Sequence, residues 1–130
     1  MRTLSILIVI DSIGALATGS LIDNVYLIDT NKYLGSWKEG TDTLHTVCQD
    51  GQLITWRVIS VSPNNNVDIF EFSGKLVSEK ICIPSKLGNA DDSFWESRIE
   101  TQGRFASYSY TITVIIGGRS MSFSPYIKVV

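Results

Sequence analysis

The side chains in this sequence that could take part in catalysis are its single histidine and a few carboxylates. A serine nucleophile needs an imidazole base, so any Ser-His-Asp arrangement would have to include His45. His45 stands in the alternating run 43–47, a pattern typical of a strand, and we interpret it as an ordinary strand histidine. An enzyme would require His45 to meet Asp91, Asp92 and Glu96 in one pocket, which distances in the structure can test.

The same carboxylates raise the question of a metal, because Ca²⁺ binds clusters of carboxylate oxygens. Asp91, Asp92 and Glu96 form one group, and Asp23 and Asp29 are further candidates, but acidic loop residues are usually solvated. No Gly-x-Ser-x-Gly elbow, phosphate-binding loop, dinucleotide fingerprint or Cys-x-x-Cys pair is present. We therefore predict no catalytic residues, no metal site and no cofactor, and expect a protein that is not an enzyme.

Aromatic side chains provide the main hint of a ligand site. A sugar ring stacks its C–H face on an aromatic platform while its hydroxyl groups need polar partners. Trp56 and Trp95 fit strand positions in a core, whereas Trp37 lies in a polar loop where exposure is expected. A carbohydrate-binding, lectin-like module would use Trp37 with Tyr33 and Asp11.

The composition limits the classes of partner. The formal net charge is -2 with interspersed signs, so the basic surface that nucleic-acid binding needs is missing. Apolar residues make up 44% of the chain and charged residues 18%, which favours a packed core over disorder. No apolar run approaches the 18 or so residues of a membrane-spanning helix, and a length of 130 residues predicts a single domain over 1–130.

The two cysteines bear on the cellular compartment. Cys48 and Cys82 each lie in an apolar or β-branched run, so we expect buried free thiols and a cytoplasmic protein. The alternative is that the two cysteines form a disulfide in an oxidising compartment. Residues 1–17 imitate a secretory signal, but Asp11 stops the apolar run at about the minimum length for a signal core, and we predict that residues 4–10 form a buried strand.

The elements that must position these residues are almost all strands. Period-two alternation is clearest over 108–116. The pair Gly117 and Gly118 and the alternating segment 120–124 come next and complete a predicted hairpin. A second hairpin is predicted from 52–61 and 67–72. Further strand-like stretches cover residues 4–10, 25–29, 43–48, 76–83, 94–101 and 126–130.

Evidence for helix is thin, with a turn over 13–21 as the one candidate. We therefore predict an all-β fold, an antiparallel sandwich of about nine strands with jelly-roll or immunoglobulin-like topology. The weakly charged strand 126–130 would be an edge able to pair with a second copy.

Four segments, in order, resemble the AidA/PixA family of bacterial inclusion-body proteins. They are the strand that ends in Ile10-Asp11, the stretch 25–28 (Val-Tyr-Leu-Ile), the strand entry 50–57 (Asp-Gly-Gln-Leu-Ile-Thr-Trp-Arg) and the segment 123–127 (Phe-Ser-Pro-Tyr-Ile). With no catalytic set and a weakly charged edge strand, we expect a non-enzymatic protein that self-associates as a homodimer or larger assembly. The resemblance implies an abundant cytoplasmic protein that forms inclusions in some members of the family. It also implies a link to host interaction or quorum-sensing control.

Overall fold

Strands make up most of the computed structural model, which describes residues 3–30, 43–62, 66–88 and 93–130. The described residues contain eleven strands and two short helices. In chain order the elements are β1 (Leu4–Ile10), α1 (Ser12–Thr18), β2 (Val25–Asp29), β3 (His45–Cys48), β4 (Leu53–Ser60), β5 (Val67–Ser73), α2 (Lys75–Ser78), β6 (Ser85–Gly88), β7 (Ser93–Arg98), β8 (Ser107–Ser109), β9 (Thr111–Ile116), β10 (Arg119–Phe123) and β11 (Tyr126–Val129).

These strands form three sheets. The five-stranded sheet has the order β2-β1-β4-β7-β6, and the two three-stranded sheets have the orders β10-β9-β5 and β3-β11-β8. Their inner faces enclose one hydrophobic cluster, whose largest fully buried side chains include Trp56, Tyr110 and the β1 isoleucines. The prediction of an all-β, sandwich-like fold is confirmed.

The arrangement is not purely antiparallel, and this part of the prediction is wrong. β1 pairs in parallel with β4, and β11 pairs in parallel with β3. Parallel partners cannot be joined by a tight turn, so the chain leaves each sheet and returns later. Local alternation does not reveal such a crossover.

The pattern identified several elements correctly. β1 and β2 have the predicted bounds, and β9 and β10 form the predicted hairpin. Gly117 and Gly118 connect its strands, with φ of 55° and 84°, the positive values that a type I′ turn requires at both central residues.

Three predicted elements are wrong. The hairpin of 52–61 with 67–72 does not form, because β4 and β5 belong to different sheets. The run 108–116 is divided at Tyr110 into β8 and β9, which also lie in different sheets, and this is one reason for eleven strands where about nine were expected. Residues 76–83 are not a strand: α2 and a turn occupy them, with Leu76 and Ile81 both fully buried.

Candidate interaction surface

The five-stranded sheet has a second face that points away from the core. On β1, the even-numbered residues 4 to 10 are buried, so Ser5, Leu7 and Val9 point the other way. The strand registers carry this alternation across the sheet. We use the term outer sheet face for the set of outward apolar side chains on this sheet, which are Leu7, Val9, Tyr26, Ile28, Ile59, Leu87 and Phe94.

These side chains fall into continuous rows. In one row Val9 is paired with Tyr26 on β2 and with Ile59 on β4. Tyr26 and Ile59 are 43% and 47% exposed, which is high for large apolar side chains on paired strands. The described elements thus leave an apolar row open to solvent.

A neighbouring row crosses the whole sheet. Leu7 is paired with Ile28 on one side and with Arg57 on the other, and Leu87 on β6 is paired with Phe94 on β7. The Arg57 guanidinium lies over the Phe94 ring, 4.6 Å from its centroid, and joins the two halves of the row. Such cation-π contacts hold an arginine flat on an apolar surface.

The sheet β10-β9-β5 presents a very different outer face. There Thr111 Oγ1 lies 2.9 Å from Ser124 Oγ, and Thr113 Oγ1 lies 2.9 Å from Ser122 Oγ. These hydroxyl groups satisfy one another and are compatible with water. The two outer faces therefore differ in chemistry: hydroxyl groups predominate along β9 and β10, whereas the outer sheet face has the apolar rows typical of a contact surface.

Of the three predicted sugar-binding residues, the structure describes Asp11 alone. Asp11 is the N-cap of α1: its Oδ1 accepts a hydrogen bond of 3.1 Å from the Gly14 backbone N–H. The carboxylate therefore fixes the start of the helix. Trp37 and Tyr33 lie outside the described residues, so carbohydrate binding stays a prediction.

The predicted catalytic grouping is only partly described. His45 is on β3, where its Nδ1 lies 2.8 Å from the Thr43 carbonyl oxygen and its ring stacks on Tyr126 at 4.3 Å. Glu96 is on β7 in the five-stranded sheet, and Asp91 and Asp92 lie outside the described residues. The structure does not bring His45 and Glu96 to one sheet.

The possible calcium ligand Asp29 has a different role. It is buried, and its Oδ2 accepts a hydrogen bond of 2.8 Å from the hydroxyl group of Thr46. This bond ties β2 to β3 across sheets. Within the described ranges, no group of three or more His, Cys, Asp or Glu residues is placed to hold a metal ion.

Another buried polar pair was missed by sequence reasoning. The indole N–H of Trp56 donates to the hydroxyl oxygen of Tyr110 at 3.2 Å, and both rings are fully buried. Burial raises the pKa of Tyr110, and the hydrogen bond from Trp56 offsets part of that rise. The alternating pattern places both residues in the core but does not show that they meet.

The two thiols are buried and free, as expected from their apolar neighbours. Burial raises the pKa of Cys48 and of Cys82 to about 12. Because the thiolate is the reactive form, neither cysteine has the character of a nucleophile.

The turn at Asp50 was also missed. Its carboxylate accepts backbone hydrogen bonds from Thr101 at 2.7 Å and from Gly103 at 3.3 Å. The bond from Thr101 is the main reason that the pKa of Asp50 lies below its usual value. The dipeptide Asp50-Gly51 signals a turn, but its partner lies about fifty residues further on.

Eleven chains among the solved structures match this protein. One is the inclusion body protein PixA from Burkholderia cenocepacia J2315, with a TM-score of 0.72 and 13% identity, covering 98% of this chain and 93% of that chain. The fold is thus that of a PixA-like inclusion-body protein, and the resemblance to the AidA/PixA family is confirmed at the level of the fold.

The chain belongs to the family described as a domain of unknown function, DUF8788, whose model matches residues 2–122. No curated protein matches it in sequence. In the part of the chain that the structure describes, neither helix is long and apolar enough to cross a membrane.

Proposed function

We propose that this protein is a non-enzymatic, inclusion-body-like protein that functions by self-association. The observation that carries the proposal is the outer sheet face, where Tyr26, Ile28, Ile59 and Leu87 are each 41% to 47% exposed. A contiguous exposed apolar patch marks a contact site, whereas apolar side chains exposed singly are common on protein surfaces. The likeness in fold to an inclusion body protein supports the same conclusion.

The route of association differs from the one predicted from sequence. β11 was expected to be a free edge, but it lies between β3 and β8 and is hydrogen-bonded to both. Its backbone groups are already paired, so it offers no template to another copy. An apolar face provides the alternative because its contacts need no unpaired backbone.

Static light scattering across a dilution series tests self-association of the purified chain. We expect the average mass to rise with concentration above the 14.4 kDa of one copy. Sodium sulfate should strengthen the association, since this salt favours apolar burial. A mass of one copy at every concentration, with and without sulfate, would contradict the proposal.

The proposal includes a cytoplasmic location and abundance under quorum-sensing control, both of which follow from the resemblance to the AidA/PixA family. It also extends to a role in host interaction. Cell fractionation and transcript levels across cell density test the first two points. Colonisation by a deletion strain tests the third.

A further inference from the structure

We propose that the occupant of the outer sheet face is a second copy of this chain, packed sheet against sheet about a two-fold axis. This inference rests on the proposed function and specifies the surface through which association occurs. In such an interface the same patch serves both copies. Two five-stranded sheets would then lie face to face, as the layers of a β-sandwich do.

The area of the outer sheet face is large enough for an interface between two copies. Five strands spaced about 4.8 Å apart, with the two apolar rows and the polar row through Thr55 and Glu96, cover about 500 Å² in projection. Two copies would therefore bury about 1,000 Å² or more, which meets the lower bound for a biological interface. The face is built on paired strands and is already ordered, so binding costs little conformational entropy.

The charges on the outer sheet face are compatible with contact between two copies of this face. Arg57 and Arg98 are its cations, and Glu96 on β7 points to the same side because it is paired with outward-facing Thr55, as Arg98 is with Leu53. The net charge of the face is one positive charge, so the repulsion between two copies is weak and is screened by salt. A partner of strong charge of either sign would gain little from this surface.

The contrast with the outer face of the sheet β10-β9-β5 favours the outer sheet face. On β9 and β10 most outward positions carry hydroxyl groups that pair with one another, as Thr113 does with Ser122, and the apolar side chains there, Ile115 and Phe70, form no row across the strands. Desolvating those groups would bring no apolar gain. The outer sheet face instead releases water from aliphatic and aromatic side chains.

The test compares the substitutions Ile59→Lys and Ile115→Lys in the full chain. Both replace an outward isoleucine at the penultimate position of a strand, the first on the outer sheet face and the second on β9 beside Asp68. Ile59→Lys adds a further cation to the interface in each copy. We expect the association midpoint to rise about 100-fold, with two desolvated lysines each weakening binding about tenfold. Ile115→Lys should leave the midpoint within about twofold of the wild type.

Hydroxyl-radical footprinting of the wild-type chain gives a second readout that needs no substitution. Tyr26 should become protected as concentration rises, while Phe70, which is 60% exposed on β5, should stay reactive. Circular dichroism of Ile59→Lys checks that the variant folds. If it does not fold, the footprinting decides.

The outcomes separate the two proposals. If the wild-type chain associates and Ile59→Lys associates equally well, the outer sheet face is not the interface. The same holds if Tyr26 remains unprotected in the associated wild type. In both cases the proposal of self-association is unaffected. A wild-type chain that stays monomeric contradicts the proposed function, and this inference with it.

Discussion

Individual polar residues in this protein mostly stabilise its fold. Asp50 holds the turn before β4 to the segment after β7, through the backbone N–H groups of Thr101 and Gly103. Asp11 caps α1, and Asp29 joins β2 to β3. Each carboxylate therefore has a structural task that a search for catalytic side chains does not anticipate.

Asp50 makes stability depend on pH. Its pKa is lowered in the folded state, so the stability it contributes is present above its unfolded pKa, near 3.8, and is lost as pH falls through the folded pKa. We expect Asp50→Asn to lower the urea midpoint at pH 7, with a difference from the wild type that shrinks below about pH 4.

Urea unfolding of both chains from pH 7 to pH 2.5 measures this difference. Asp68→Asn is the control, because its ion pair with Lys86 is exposed on both sides and contributes little. A constant gap between the wild type and Asp50→Asn across the pH range would contradict the role of the Asp50 charge.

At the scale of elements, the connection from β5 to α2 depends on a glycine. Gly74 has φ of 93° and ψ of -170°, a conformation that is essentially restricted to glycine. A Cβ atom there would also lie 3.1 Å from the Tyr110 Cα, which belongs to the backbone and cannot swing away.

We therefore expect Gly74→Ala to reduce the free energy of unfolding by about 2–3 kcal/mol. Gly118→Ala is the matched control: its φ of 84° is similar, but no atom lies within 4 Å of the added methyl group. Its expected loss is about 1 kcal/mol, from the backbone alone. Equal losses in urea unfolding would contradict any added cost at Gly74 from its backbone conformation and its contact with Tyr110.

The elements also show what the sequence could and could not reveal. β1 and β2 were predicted with their bounds because alternation is a local property. The break at Tyr110 was invisible, since Tyr108, Tyr110 and Ile112 are buried in one unbroken alternation that spans both β8 and β9. The partner of a strand is determined by residues far away in the sequence. For this reason a hairpin of β4 with β5 was predicted, although the chain passes from one sheet to another between these two strands.

The outer sheet face escaped prediction for a related reason. The run Leu4–Ile10 is apolar at nearly every position, and such a run is typical of a strand buried on both sides. In a single copy of the protein, only the even-numbered positions of β1 are buried. The excess of apolar residues on its outward side, Leu7 and Val9, was the signal available in the sequence.

For the whole molecule, one core connects the sheets. Cys48 at the end of β3 and Cys82 after α2 belong to the same buried cluster, although they lie in separate elements. Two native thiols therefore report on the opening of the core from two places.

We expect both thiols to react with a maleimide at pH 8 far more slowly in the native protein than in urea, and at equal rates. Their pKa values of about 12 leave little thiolate, and burial blocks the reagent until the core opens. Mass spectrometry of labelled peptides measures each site. Fast labelling of Cys82 alone would show that the α2 region opens independently of the sheets.

The central position of β11 has a consequence for the order of assembly during synthesis. β3 and β8 are made earlier, yet neither is hydrogen-bonded to the other, and β11 fills the space between them. Until the ribosome has produced residues 126–129, this sheet has two strands without their shared neighbour. Folding therefore depends on a late, long-range insertion, which is slow. At a high concentration of newly made chains, the β11 segment of one copy can enter the same gap in another and tie two chains together by an exchanged strand.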